Sequence, residues 1–377
     1  MLIYIILPFA AVISGMALCH PKLNENCKNA GKIIYCSLAG VGLFIISAVR
    51  YAVGYDYYLY ANWYNSLRTA SFEEIAFMRH EKGFLFSLKV LSGAGFEYQA
   101  MFVIIAFVAA AGVMLLIYKY SRAPWVSVSA FIFIGLYFIS MNFMRQFIAA
   151  LIISFALRYV TEKRFFRFAG YILFASVFHF SALLLLPFWF VLKIKFNNII
   201  LLLMLAGSMI VYIFVTPLMT FVTDYVYTYY DPVTNVEAST GLSPVYTIAF
   251  ALFFGLAFLL RNMLVRRNKY ANVLICSMYF AVFFSFLGTA HAILSRLALL
   301  FIIAPVLILS GDIYITLRDL VLLTFKDSKT KRRLYVIILG LVLLFVCGLY
   351  YNFLLHDSER GFNGVVPYQT IWGEVSS

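Results

Sequence analysis

Two arginines stand where an otherwise apolar sequence would not place them. Arg145, with Gln146 beside it, interrupts the stretch between Pro124 and Leu157, and Arg296 follows His291 and Ser295 about one turn into another apolar run. A guanidinium grips phosphate oxygens through parallel N–H donors. The pair therefore suits a diphosphate, with Gln146 donating to the same oxygens at a helix start, where backbone amides also point outward. The competing reading of Arg145 is a side chain snorkelling from a helix end. No residue near Arg296 in sequence neutralises it, so it needs a partner from another segment or an anionic ligand. His179 reads either as a hydrogen-bonded core histidine or as a general base or ligand donor.

A second concentration of polar chemistry lies between Arg50 and Tyr98. It holds Arg50, Tyr51, Tyr55, Asp56, Tyr57, Tyr58, Tyr60, Trp63 and Tyr64, then Glu73, Glu74, Arg79, His80, Glu81 and Lys82. Aromatic faces stack on the C–H surfaces of sugars and carboxylates bind their hydroxyls, which makes a carbohydrate platform, with Tyr57 and Tyr60 among its rings. The alternative for the tyrosines is an interfacial aromatic belt. The five cysteines, Cys19, Cys27, Cys36, Cys276 and Cys347, sit in or beside apolar runs without metal-ligand spacing, and no cage of carboxylates is evident. No metal and no cofactor is expected.

The elements that must carry these residues follow from composition. Of 377 residues 64% are hydrophobic and 12% charged, against roughly 45–50% and ~25% in ordinary globular chains. Soluble enzymes, coiled coils and disordered chains are excluded, leaving an all-α polytopic membrane protein. The net charge of +13 is gathered in short clusters between apolar runs, the pattern that orients membrane helices and not that of a nucleic-acid partner. Twelve runs are expected: Leu2 to Cys19, Ile33 to Val49, Gln99 to Tyr118, Pro124 to Met141, Phe147 to Leu157, Phe168 to Phe178, Phe180 to Leu192, Ile199 to Phe221, Val245 to Leu260, Ala271 to Ala290, Ala292 to Asp312 and Leu334 to Leu355.

With the amino terminus outside, 21 basic and five acidic residues fall inside, against eight and eleven outside, so the inner face carries +16 and the outer −3. That parity requires the stretch from Arg167 to Lys193 to be two short arms, too short to span ~30 Å upright. They predict a re-entrant hairpin with His179 at its tip, facing protein or a watery cavity. The whole chain, 1–377, then forms one transmembrane domain, with an outer loop at about 50–98, an acidic outer loop at about 222–243 and an outer carboxy-terminal tail at about 356–377.

The same residues carry a family resemblance. Arg50, Gly54, Asp56, Tyr57 and Tyr60, then Glu81, Gly83 and Phe84, then Arg145 and Gln146, then Phe178, His179 and Ser181 resemble the EpsG family of exopolysaccharide polymerases, relatives of the Wzy polymerases of O antigen and capsule. Arg296, Pro367 and Tyr368 match more loosely, and Lys82 stands where relatives are expected to have proline. The resemblance implies a glycosyltransferase at the outer face of the bacterial cytoplasmic membrane, facing the periplasm or cell exterior. It would move a growing glycan from undecaprenyl diphosphate onto a second lipid-linked repeat unit, with membrane lipids and a chain-length regulator as further partners. In that reaction His179, Glu81 or Asp56 serves as base. Arg145 and Arg296, with Arg50 in reserve and Gln146, Tyr57, Tyr60 and His291 lining the site, hold the lipid diphosphate and sugars. Two other classes fit part of the pattern: a lipid-linked oligosaccharide flippase, which should show two similar halves, and a membrane O-acyltransferase, whose donor should draw polar residues inside.

Overall fold

Hydrocarbon offers backbone groups no partner, so a chain this apolar must satisfy them within helices. The computed structural model describes residues 2–19, 25–78, 81–221, 244–324, 330, 333 and 368–374. Its helices are α1 (Leu2–Leu18), α2 (Glu25–Ala48), α3 (Tyr57–Thr69), α4 (Phe72–Phe77), α5 (Lys82–Gly93), α6 (Tyr98–Tyr120), α7 (Pro124–Phe133), α8 (Leu136–Asn142), α9 (Met144–Thr161) and α10 (Phe165–Ser176). A 3-10 turn (Phe180–Leu184) leads into α11 (Leu185–Val191), followed by α12 (Asn198–Phe221), α13 (Pro244–Leu259), α14 (Arg261–Arg267), α15 (Ala271–Leu287), α16 (Ala292–Leu297) and α17 (Leu299–Thr324). A small antiparallel hairpin, β1 (Gln369–Thr370) and β2 (Gly373–Glu374), lies near the end of the chain.

Among the described residues, five stretches are long and apolar enough to cross a membrane: Asn29–Ala48, Tyr98–Tyr120, Met144–Thr161, Asn198–Thr220 and Ala292–Val321. Two bent pairs, Pro124–Phe133 with Leu136–Asn142 and Val245–Leu259 with Arg261–Arg267, raise the number to seven if each is one span. The fold is therefore an all-α membrane protein, and the described residues hold five to seven candidate spans, which does not confirm the expected count of about twelve membrane segments. Four of the expected runs are helical stretches of 10–17 residues, at most ~26 Å at 1.5 Å per residue. The run Leu334–Leu355, the acidic segment 222–243 and most of the tail 356–377 lie outside the described residues. Of their most apolar windows, 72% of Met144–Thr161 and of Ala292–Val321 is buried within the protein against 6% for Asn198–Thr220. Helices α9 and α17 thus form the centre, and α12 turns nearly all of its surface outward.

Polar contacts divide the bundle into two ends. At one, Lys32 donates to the Ser121 carbonyl at 3.0 Å, Arg122 approaches Asp312 at 3.5 Å, Arg158 donates to the Tyr120 hydroxyl at 3.2 Å and Arg267 pairs with Asp319 at 2.7 Å. At the other lie Arg50, Glu81, Arg145, His179 and Arg296, together with the β1–β2 hairpin. Antiparallel α2 and α6 connect the ends: Gln99, at the start of α6, donates to the Ala48 carbonyl at 2.7 Å, while the end of α6 meets Lys32.

Residues 50–98 form three short helices, not an open loop. Tyr57, Tyr60, Tyr64 and Leu67 of α3 pack with Phe84, Leu85 and Leu88 of α5 onto Met101 and Phe102 of α6. Ser71 and Glu74 close a reciprocal capping box at the start of α4, so Glu74 is engaged locally. The two short arms around His179 do fold back on each other, since Phe165 and Phe168 both pack against Trp189, with ring centroids 5.3 and 5.2 Å apart.

Candidate functional site

Each polar residue at the second end sits where a helix is interrupted. Phe143, at φ −79° and ψ 49°, separates α8 from α9 and puts Arg145 and Gln146 in the first turn of α9. His179, extended at φ −153° and ψ 112°, separates α10 from the 3-10 turn. His291, at φ −139° and ψ 109°, precedes α16, which carries Arg296. Glu81 precedes α5. Backbone groups at helix breaks lack intrahelical partners, so such breaks in an apolar bundle gather polar side chains.

Glu81 is the hub. One carboxylate oxygen, Oε2, receives the Arg145 Nη1 donor, and the other, Oε1, lies 2.9 Å from His179 Nδ1 and accepts the Phe180 amide at 3.3 Å. The three side chains are 13%, 19% and 26% exposed for Glu81, Arg145 and His179, which opens the cluster to its surroundings mainly through the imidazole. Burial alone would raise the Glu81 carboxyl. The His179 hydrogen bond and the Arg145 charge outweigh it and hold the carboxyl down at about 2.

Local sequence explains how α5 delivers Glu81 to His179. A Cβ at Gly83 would stand 2.0 Å from Val177 Cγ1 and 3.0 Å from the Val177 carbonyl oxygen, so only glycine lets the first turn of α5 lie against the arm that ends at His179. Lys82 occupies the first helical position, where proline suits a helix start. Its Nζ donates to the carbonyls of Ile75, at 3.2 Å, and Met78 at the end of α4, so the turn forms without proline.

Arg145 is seated among rings, its guanidinium carbon 4.8 Å from the centre of Trp63, 5.9 Å from Phe84 and 6.0 Å from Tyr60. Burial holds the Tyr60 hydroxyl above the usual tyrosine range against the pull of Arg145, with the Asp56 charge adding to it. Asp56 is therefore within electrostatic reach of the cluster, and its amide faces Asn142 Oδ1 at 3.4 Å. Arg296 lies 5.2 Å from the centre of the Phe143 ring. Gln146 Nε2 donates to the Arg296 carbonyl at 2.5 Å, tying α16 to the first turn of α9.

Four of the residues expected to face a ligand, Gln146, Tyr57, Tyr60 and Arg50, lie buried against protein. Gln146 is buried and donates to protein backbone, not outward to a ligand. Tyr57 is 1% exposed, stacks on Phe102 at 4.4 Å and donates its hydroxyl to Gln99 at 3.1 Å, so its ring is core and not a sugar platform. Tyr60, 3% exposed, is likewise enclosed, edge-on to Trp63 and Phe84. The exposed tyrosines in this region are Tyr51, Tyr55 and Tyr58. Arg50 is 1% exposed with protein acceptors, and burial lowers its guanidinium to about 10. His291 stays at the break before α16 without capping it through its side chain. Sequence reasoning left Phe143 out of the site and counted Trp63 only among the aromatic residues of 50–98, not as the ring against Arg145. For Trp63 the signal was present, since it shares a helix face with Tyr60 three residues earlier.

Among the described residues no group of three His, Cys, Asp or Glu side chains is placed to hold a metal ion. The fold and the cluster define a polytopic helical membrane protein with a polar site built from helix breaks at one end. The chain belongs to the EpsG family, whose model matches residues 33–370, a span that contains every residue of the cluster. This is a family of polymerase-like membrane proteins of polysaccharide biosynthesis. Comparison with curated proteins and with solved structures gave no match.

Proposed function

We propose that this chain is a polysaccharide polymerase of the bacterial cytoplasmic membrane, with the Glu81 cluster facing outward. It transfers a growing glycan from undecaprenyl diphosphate to the sugar end of a lipid-linked repeat unit. The observation that carries this reading is the double engagement of Glu81, which fixes an imidazole and a guanidinium side by side.

The chemistry divides accordingly. The acceptor hydroxyl attacks the anomeric carbon, and its proton passes to His179 Nε2, while Glu81 holds Nδ1 and stabilises the imidazolium that forms. As the new glycosidic bond forms, the bond from the anomeric carbon to the diphosphate oxygen breaks. The departing lipid diphosphate takes up negative charge, which Arg145 and Arg296 stabilise. Glu81 itself is a poor base, because a carboxyl held near 2 seldom takes a proton at neutral pH. Asp56, near Tyr60, is suited to an acceptor hydroxyl.

Purified protein in lipid nanodiscs, given a lipid-linked repeat unit, should produce a ladder of lengthening glycans. Translocation of the unit without lengthening, or acyl transfer to its sugars, would replace this reading with the flippase or the acyltransferase.

A further inference from the structure

Arg50 is the largest fully buried side chain among the described residues and faces Phe102, 4.9 Å from the ring centre. Its two terminal nitrogens go to the two sides of a single helix break. Nη1 donates to the Met141 carbonyl at 2.6 Å, and Nη2 meets Met144 Sδ at 3.1 Å. Met141 is in the last turn of α8, where carbonyls lack the amide four residues on, and Met144 opens α9, one residue before Arg145.

Arg50 is itself held from two directions. The end of the chain pairs with it: Arg50 and Thr370 form an antiparallel bridge, Tyr51 donates to the Gln369 carbonyl at 2.9 Å, Ile371 donates to the Val49 carbonyl at 3.1 Å, and the Tyr368 hydroxyl donates to the Ile46 carbonyl. On the opposite side Gln99 Nε2 reaches the Arg50 carbonyl at 3.3 Å. Farther along, Gly54 sits at φ +102°, where a Cβ would come within 2.7 Å of Asn142 Oδ1. The segment 50–56 therefore grips residues 141–144 through Arg50, Gly54 and Asp56.

We infer that Arg50 is a positioning residue: it braces the α8–α9 break and so sets where Arg145 points, and it does not bind the diphosphate. The inference rests on the proposed function only in taking Arg145 as the group whose aim matters. Misplacing a catalytic group by about 1 Å costs on the order of 100-fold, so small losses in the brace should be visible in rate.

The test uses full-length protein in nanodiscs and a lipid-linked repeat unit. Three variants weaken the brace to different degrees: Arg50→Lys, Met144→Leu, which removes the sulfur acceptor at similar volume, and Gly54→Ala. Each should lower kcat about 10- to 100-fold with KM for the lipid-linked unit within about twofold. In an Arg145→Ala background each should add less than about twofold. A rise in KM at unchanged kcat, or losses that add fully to Arg145→Ala, would overturn the brace. So would lower yield with unchanged activity per molecule.

A second readout does not depend on activity. A thiol at Arg145→Cys should change its rate of maleimide labelling several-fold when Met144→Leu is added, while one at Thr289→Cys should not. Unchanged labelling at 145 refutes the brace whatever Arg145 does. Altered labelling with an Arg145→Ala enzyme of full rate supports the brace and removes the diphosphate role.

Discussion

Gln146 donates its side-chain amide to the main-chain carbonyl of Arg296, 150 positions away in sequence. This bond joins the first turn of α9 to α16. Removing it takes one of two donors from this part-buried carbonyl, which the Ala298 amide also faces, at a cost of ~0.5–1.5 kcal/mol. Gln146→Ala should therefore lower the melting temperature and slow polymerisation together. Gln146→Glu should be worse, because a carboxylate would face a carbonyl oxygen. Thermal unfolding in detergent checks both, and a loss of donor affinity without any loss of stability would return Gln146 to the ligand.

The Glu81 carboxyl is held below its ordinary value, so the stability it contributes is present above about 4.5 and is lost as pH falls from there towards 2. Melting temperature should drop across that window in the native protein. Glu81→Gln should flatten the drop and, by leaving Arg145 unpaired in a mostly buried site, destabilise at neutral pH by ~3–5 kcal/mol. A native pH profile identical to that of Glu81→Gln would show that the carboxylate is not so held.

His179 stands at the tip of the folded-back arms and keeps about a quarter of its side chain exposed. His179→Ala should cost roughly 10²–10⁴ in rate with near-normal membrane insertion. His179→Gln, which retains a group able to donate to Glu81, should preserve the fold without restoring the rate. Recovery of activity by glutamine would mean that holding Glu81, not proton transfer, is what the histidine does.

At Arg145 and Arg296, replacement by lysine separates the contribution of charge from that of the forked guanidinium geometry. If both serve the departing diphosphate, lysine at either position should retain more activity than glutamine, and the double alanine variant should be strongly non-additive. Lysine at 145 also keeps a cation against Glu81, so the comparison is best made on rates at equal melting temperature. Mild and additive effects of all replacements would assign the two arginines to anchoring.

Orientation is open to a direct check. In an otherwise cysteine-free chain, thiols at Ser66→Cys and Arg266→Cys are both exposed in the structure but lie at opposite ends. An impermeant reagent should label the first in intact cells and the second only after permeabilisation. The reverse pattern would turn the protein over and place the Glu81 cluster inside.

How much of this was visible in the sequence depended on whether the cause was local. The excess of basic residues between apolar runs marked the two ends, and Arg145, His179 and Glu81 stood out because charge in an apolar chain is expensive. The arms around His179 were legible from their length alone. What was not legible came from contacts between distant segments. Nothing near Tyr57 reveals that Phe102 will cover its face, nothing near Arg50 reveals that residues 368–371 will close over it, and Gln146 gives no sign of its partner in α16. The number of spans is not legible from hydropathy alone, because hydropathy reports that a stretch is apolar and not that it is long enough to cross.

The double grip of Glu81 has an evolutionary consequence. One carboxylate fixes both the group that would take the acceptor's proton and the group that would hold the leaving diphosphate, so any change at position 81 disturbs both halves of the reaction at once. Descendants of this protein that came to join different sugars would have found little freedom there. Their divergence should be written into the exposed rings and short helices of residues 50–98, while the Glu81–His179–Arg145 clasp is inherited as a unit.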